Sequence, residues 1–185
     1  MGLRLFANDN DSLYPFTSFS RTNSGGAENL WQLFQMAQSD ISSPRVLICP
    51  SDSARRPASD FLVQTNSEFS SGSLAHPSRR NMALSYFYAL EADEGTPTKL
   101  LMGDRNLTRD STASDQAPGN VILTGAQRLG ATANETKDLR WSTEIHDRGG
   151  NITFTDGSAA QLTNCMLREA LQKSGDPTNR IWLPN

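Results

Sequence analysis

The sequence predicts an α+β domain in which an antiparallel sheet with long loops follows a helical remnant and precedes a short C-terminal helix. Three observations predict it. Residues 141–163, WSTEIHDRGGNITFTDGSAAQLT, alternate apolar and polar residues around turn signals at 147–150 and 156–157. An aromatic run at 83–90 and an apolar run at 99–104 bracket a loop containing Gly95 and Pro97. Helical spacing of apolar residues marks 3–7, 30–37 and 166–171.

Taken in order, Leu3, Phe6 and Ala7 share a helical face that the polar cluster Asn8, Asp9, Asn10 and Asp11 terminates, and Tyr14-Pro15-Phe16 is read as an extended exit. The four oxygen-bearing residues invite calcium but lack the spacing, glycine and closing Glu of an EF-hand loop. Ser24-Gly25-Gly26 turns the chain into a second helix ending near Gln38, with Leu30, Leu33, Phe34 and Ala37 inward. Val46–Cys49 reads as a short buried strand closed by a turn at Pro50-Ser51-Asp52, and 53–78, which includes His76, as a long surface excursion. After the pair at 83–90 and 99–104, Asp104-Arg105-Asn106 emerges at the sheet edge, placed to hydrogen-bond neighbouring loops. A short strand at 121–124 follows. Leu139 to Ile145 is expected to form a strand with His146 at its end, followed by a hairpin with a tight primed turn at Asp156-Gly157. Thr163 or Asn164 caps a helix through Lys173, with Met166, Leu167, Ala170 and Leu171 inward, and Ile181-Trp182-Leu183 pins the tail.

Composition bounds the function. One domain spanning 1–185 suits 185 residues. A hydrophobic share of 36% and a mean hydropathy of −0.51 point to a loop-rich surface. A net charge of −3, with scattered arginines and no basic block, argues against nucleic acid as a partner. Cys49 and Cys165 lack metal-ligand spacing and leave a disulfide or two thiols equally open. No apolar run spans a bilayer and no signal peptide is visible. The opening GLRLFANDNDSLYP reads as the last turns of a helix, so an upstream segment is expected to have been cut away.

His146-x9-Asp156-Gly157, with Gly150 inside it, resembles the H-X9-DG motif of pilin-like and pseudopilin-like proteins. Residues 3–11 with Tyr14-Pro15 resemble the end of their long helix, and residues 46–52, which contain Cys49-Pro50-Ser51-Asp52, their shared Cys-Pro-Ser-Asp stretch. Residues 84–87 with 103–106 resemble their central hairpin. The resemblance implies a prepilin leader and an apolar anchor upstream, missing here, and a head on the periplasmic side of the inner membrane. It also implies partners among other pilin-like subunits or secretion-system proteins, with membrane contact only through the missing helix. Similar proteins are filament subunits of a type II secretion-like apparatus or solitary envelope proteins, and the favoured reading is non-enzymatic: assembly or partner recognition in a type II secretion or type IV pilus-like system, with no cofactor.

Two other readings compete. A periplasmic hydrolase would use His146 as base and Asp156 as its orienter. A calcium-stabilised envelope binding module would draw on Asp104, Asn106, Asp110 and Asp156, hard oxygen donors whose ordinary role is to cap turns.

Overall fold

The computed structural model describes residues 2–22, 27, 29–62, 71–109, 123–124, 139–176 and 179–184. They fall into two compact units, Met1–Tyr86 with Pro184–Asn185, and Phe87–Leu183. The fold is α+β, with most strand pairs antiparallel.

The first unit is helical. Helix α1 (Gly2–Asp9) buries Leu3, Phe6 and Ala7, as the spacing predicts. It ends where Asp11 and Ser12 adopt positive φ and Ser12 N–H donates to the Ala7 carbonyl. The expected extended exit is instead a second helix, α2 (Pro15–Thr22). Proline lacks the N–H that a first helical turn leaves unpaired, and its fixed φ suits that position, so Pro15 starts a helix. Helix α3 (Leu30–Met36) buries Leu30, Leu33 and Phe34, with Ala37 buried just beyond. The turn expected at Ser24-Gly25-Gly26 lies outside the described residues. Residues Pro44–Leu47 form a 3₁₀ turn rather than a strand, and Val46 is 57% exposed. Four apolar residues are too few to separate the two by periodicity, and Ser43 Oγ accepts the Arg45 N–H to start the turn.

The excursion at 53–78 is tied at its base. Ser59 N–H donates to the Gly72 carbonyl and Leu74 N–H to that of Asp60, burying Ala58, Leu74 and Ala75; residues 63–70 lie outside the description. His76 is half-buried rather than exposed, with Nδ1 2.7 Å from Ser78 Oγ. A second 3₁₀ turn, Arg80–Ala83, meets α3: Trp31 N–H donates to Asn81 Oδ1 and the Arg80 guanidinium lies over the Trp31 ring, 5.6 Å from its centre.

The second unit holds the sheet. Strand β1 (Tyr86–Ala89) enters it from the unit boundary, and β2 (Leu100–Asp104), β3 (Leu107–Arg109), β4 (Leu123–Thr124), β5 (Leu139–Trp141), β6 (Gly149–Phe154), β7 (Ala159–Thr163) and β8 (Ile181–Leu183) follow. Six of them form one sheet in the order β4-β8-β1-β2-β6-β7, while β3 and β5 pair separately. Pairs β1–β8, β2–β6 and β6–β7 are antiparallel and β4–β8 is parallel. The tail strand thus sits inside the sheet.

Helix α4 (Asn164–Lys173) starts on Thr163, whose Oγ1 accepts the Met166 N–H. It buries Leu167 and Leu171, while Met166, expected inward, is 46% exposed. The core joins Phe87, Leu100, Trp141, Ile152, Leu167 and Ile181 among others. Among the described residues no helix is long and apolar enough to cross a membrane.

The β1–β2 connection carries a pH-sensitive contact. Lys99 Nζ lies 2.6 Å from Asp93 Oδ2. Burial raises the Asp93 carboxyl, but the hydrogen bond and charge of Lys99 outweigh it and hold the group below its ordinary value. A folded-state value below the unfolded one adds stability above the ordinary carboxylate range, and that stability is lost as pH falls through the lowered value. Asp93 is 46% exposed, so the effect is small. Titrating stability from pH 6 to about 3 should show the parent losing slightly more than Lys99→Met.

Candidate functional site

Three consecutive residues at the end of β2 hold the loop that carries His146. Gly103 faces Ile152 in the β2–β6 register, which puts Asp104 beside Asn151. Asp104 is fully buried, and its Oδ2 accepts the Asn151 backbone N–H at 2.6 Å and the Asn151 side-chain Nδ2 at 3.0 Å. His146 Nε2 lies 3.3 Å from the same oxygen. A carboxylate at that distance favours the tautomer with its proton on Nε2.

Arg105 reaches Glu144, Nη1 to Oε2 3.3 Å. Asn106, 1% exposed, donates through Nδ2 to the carbonyls of Ser142 and Gly149, and its own carbonyl accepts the Ser142 N–H. The polar side chains expected at the sheet edge therefore do bond the neighbouring loop, though Asp104 and Asn106 are buried there.

The loop differs from its expected shape. Strand β5 stops at Trp141, Thr143 is exposed, and His146 lies in a turn rather than at a strand end. Ser142 N–H still donates to the Asn106 carbonyl, one step past the Leu107–Trp141 pair, but the Ser142 carbonyl is turned to the Asn106 side chain and the Arg148 N–H, and the ladder ends there. Gly149 N–H donates to the His146 carbonyl across Asp147 (φ 43°) and Arg148 (φ 65°). Positive φ at both central positions defines a primed turn, so the primed turn of this region is at 147–148.

At Asp156-Gly157 the expected two-residue primed turn is a three-residue loop. Gly157 N–H donates to the Phe154 carbonyl, Phe154 N–H to that of Ser158, and positive φ is confined to Gly157, at 84°. This is the bulged hairpin loop in which glycine takes the left-handed position. Asp156 Oδ1 accepts both the Ser158 N–H at 2.8 Å and the Ser158 hydroxyl at 2.6 Å, closing the turn from its side chain.

The primed turn stores strain that can be measured. Two non-glycine residues at positive φ cost about 1 kcal/mol each, and Arg148 is exposed. Arg148→Gly is expected to raise unfolding free energy by about 0.5–1 kcal/mol in urea, because the Arg148 N–H bond to Ser142 survives the change.

His146 and Asp156 are not brought together. His146 meets Asp104 near the start of β6, whereas Asp156 follows its end, roughly 15 Å of strand away at about 3.3 Å per residue. The same separation divides the proposed calcium donors: Asp104 and Asn106 are at one end, Asp156 at the other, and Asp110 lies outside the described residues. Gly150 faces Trp141, whose ring carbons would stand 2.5–2.7 Å from a Cβ placed on it.

In the other unit, Cys49-Pro50-Ser51-Asp52 forms the expected turn, with the Asp52 N–H on the Cys49 carbonyl and the Asp52 side chain buried. Cys49 is buried and Cys165 exposed, and both are thiols rather than a disulfide. Neither the part played by Asn151 nor the pairing of His146 with Asp104 is written in the local sequence. A polar triplet closing a buried strand, Asp104-Arg105-Asn106, was the available signal.

No family model, curated protein or solved structure matches the chain.

Proposed function

We propose that the chain is the head of a pilin-like, pseudopilin-like subunit that acts in assembly or partner recognition in a type II secretion or type IV pilus-like system, without catalysis of its own. One observation supports this reading above the rest. The three motif residues of the His146-x9-Asp156-Gly157 unit serve its own scaffold: His146 is held by buried Asp104, Asp156 closes its own turn, and Gly157 supplies the left-handed residue. Such a unit gives rigid loops on a sheet, which suits recognition. In this reading the natural protein carries an apolar helix upstream and the head sits on the periplasmic side of the inner membrane.

The hydrolase reading needs Asp156 to orient His146, and their separation along β6 leaves that dyad unformed. A calcium site built from Asp104 and Asp156 together meets the same difficulty.

The test uses the complete reading frame expressed in a diderm bacterium that has a prepilin peptidase. The expected product is a shortened chain in the inner-membrane fraction, released by detergent and not by salt. An uncleaved chain in the soluble fraction would overturn the proposal.

A further inference from the structure

We propose that β7 is a self-pairing edge, through which two copies of this chain join their sheets antiparallel across a two-fold axis at Gln161. The register fixes which backbone groups are available. Phe154 N–H donates to the Ser158 carbonyl, so residues 154 and 158 form a hydrogen-bonded pair, and with Ile152 opposite Ala160 and Gly150 opposite Leu162 the bonded pairs recur at those positions. Asn151 agrees with this parity, since its N–H points away from β7 to Asp104. The N–H and C=O groups of Ala159 and Gln161 therefore point outward from the sheet, and among the described residues no strand pairs with that side.

Sheet edges in native proteins are ordinarily shortened, bulged, or guarded by charge or proline. Strand β7 has five residues, Ala159-Ala160-Gln161-Leu162-Thr163, with no charge, proline or register shift, and Ala159, Gln161 and Thr163 are exposed. An edge of that kind is expected to be covered.

The choice of occupant follows from self-complementarity. Antiparallel pairing about Gln161 sets Ala159 against Thr163, Ala160 against Leu162, and Gln161 against itself. Small faces small, apolar faces apolar, amide faces amide, and no like charges meet. The register offers about four backbone hydrogen bonds across the junction, two at Gln161 and one from each Thr163 N–H to the Ala159 carbonyl of the other copy, since the Thr163 carbonyl serves α4 as its N-cap. Beside β7, an open groove of about 360 Å³ has Phe154, Leu162 and Met166 among its apolar walls and Asp156, Glu169 and Lys173 among its polar ones. The two-fold brings the second copy's α4 to the same face of the joined sheet, where the half-exposed Met166 of each copy would cover it.

Sedimentation velocity on the parent, Gln161→Lys and Gln161→Glu tests this. The parent should be substantially dimeric at about 100 μM, within reach of a small interface. Each charged variant should weaken dimerisation at least about tenfold, and an equimolar mixture of the two should form a heterodimer. Gln161 is exposed, so each variant is expected to fold, and circular dichroism is the check on that. A parent that stays monomeric, a dimer unchanged in both variants, or a mixture that stays monomeric would each overturn the proposal; a monomeric parent would leave β7 to a strand from another protein.

Discussion

Asp104→Ala is expected to lower unfolding free energy by about 3 kcal/mol, because it removes a fully buried carboxylate oxygen that several donors share. Asn151 loses the partner of both its backbone N–H and its amide, and His146 loses the oxygen 3.3 Å from Nε2. Water cannot replace that oxygen cheaply where Asp104 has no exposed surface. Asp104→Asn retains one acceptor oxygen of the same shape and should lose less than the alanine variant. Urea unfolding read by tryptophan fluorescence gives the comparison, with Trp141 buried beside the affected loop.

Gly150→Ala is expected to be comparably damaging, by about 3 kcal/mol. Its Cβ would enter the face of Trp141 at 2.5–2.7 Å, and that indole is 1% exposed, with its backbone N–H held by Asn164 Oδ1 at 2.7 Å. Neither the ring nor the strand can move without opening the core. The adjacent Gly149→Ala provides the control. Its Cβ would stand 3.3 Å from the His146 carbonyl oxygen and 3.7 Å from that of Leu162, so the loss should stay below about 1 kcal/mol. Equal losses at the two positions would show that the indole contact is not what selects glycine at 150.

These two effects mark the boundary of what sequence discloses here. The inward face of α3, the start of α4 and the β6–β7 pair were legible because each rests on local periodicity with a cap or a turn residue. Pro15 misled, since proline marks an extended exit and a first helical turn equally well. Val46–Cys49 misled because four apolar residues carry no period. The turn at 147–150 was legible but its primed geometry was hidden: neither Asp147 nor Arg148 is glycine or asparagine, and the Asp-Gly pair that signals such turns sits elsewhere, in a bulged loop. The partner of His146 was illegible for a different reason. It lies on another strand, and only the β2–β6 register places Asp104 beside Asn151.

The central claim, that the histidine of the His146-x9-Asp156-Gly157 unit is a clasp on buried Asp104, is tested most directly by a double-mutant cycle. Unfolding free energies of the parent, His146→Ala, Asp104→Ala and the double variant isolate the energy shared by the two side chains. The clasp predicts non-additivity of about 1 kcal/mol or more, with the double variant less unstable than the sum of the single ones. Losses that add within about 0.3 kcal/mol, or a His146→Ala variant that unfolds like the parent, would contradict it.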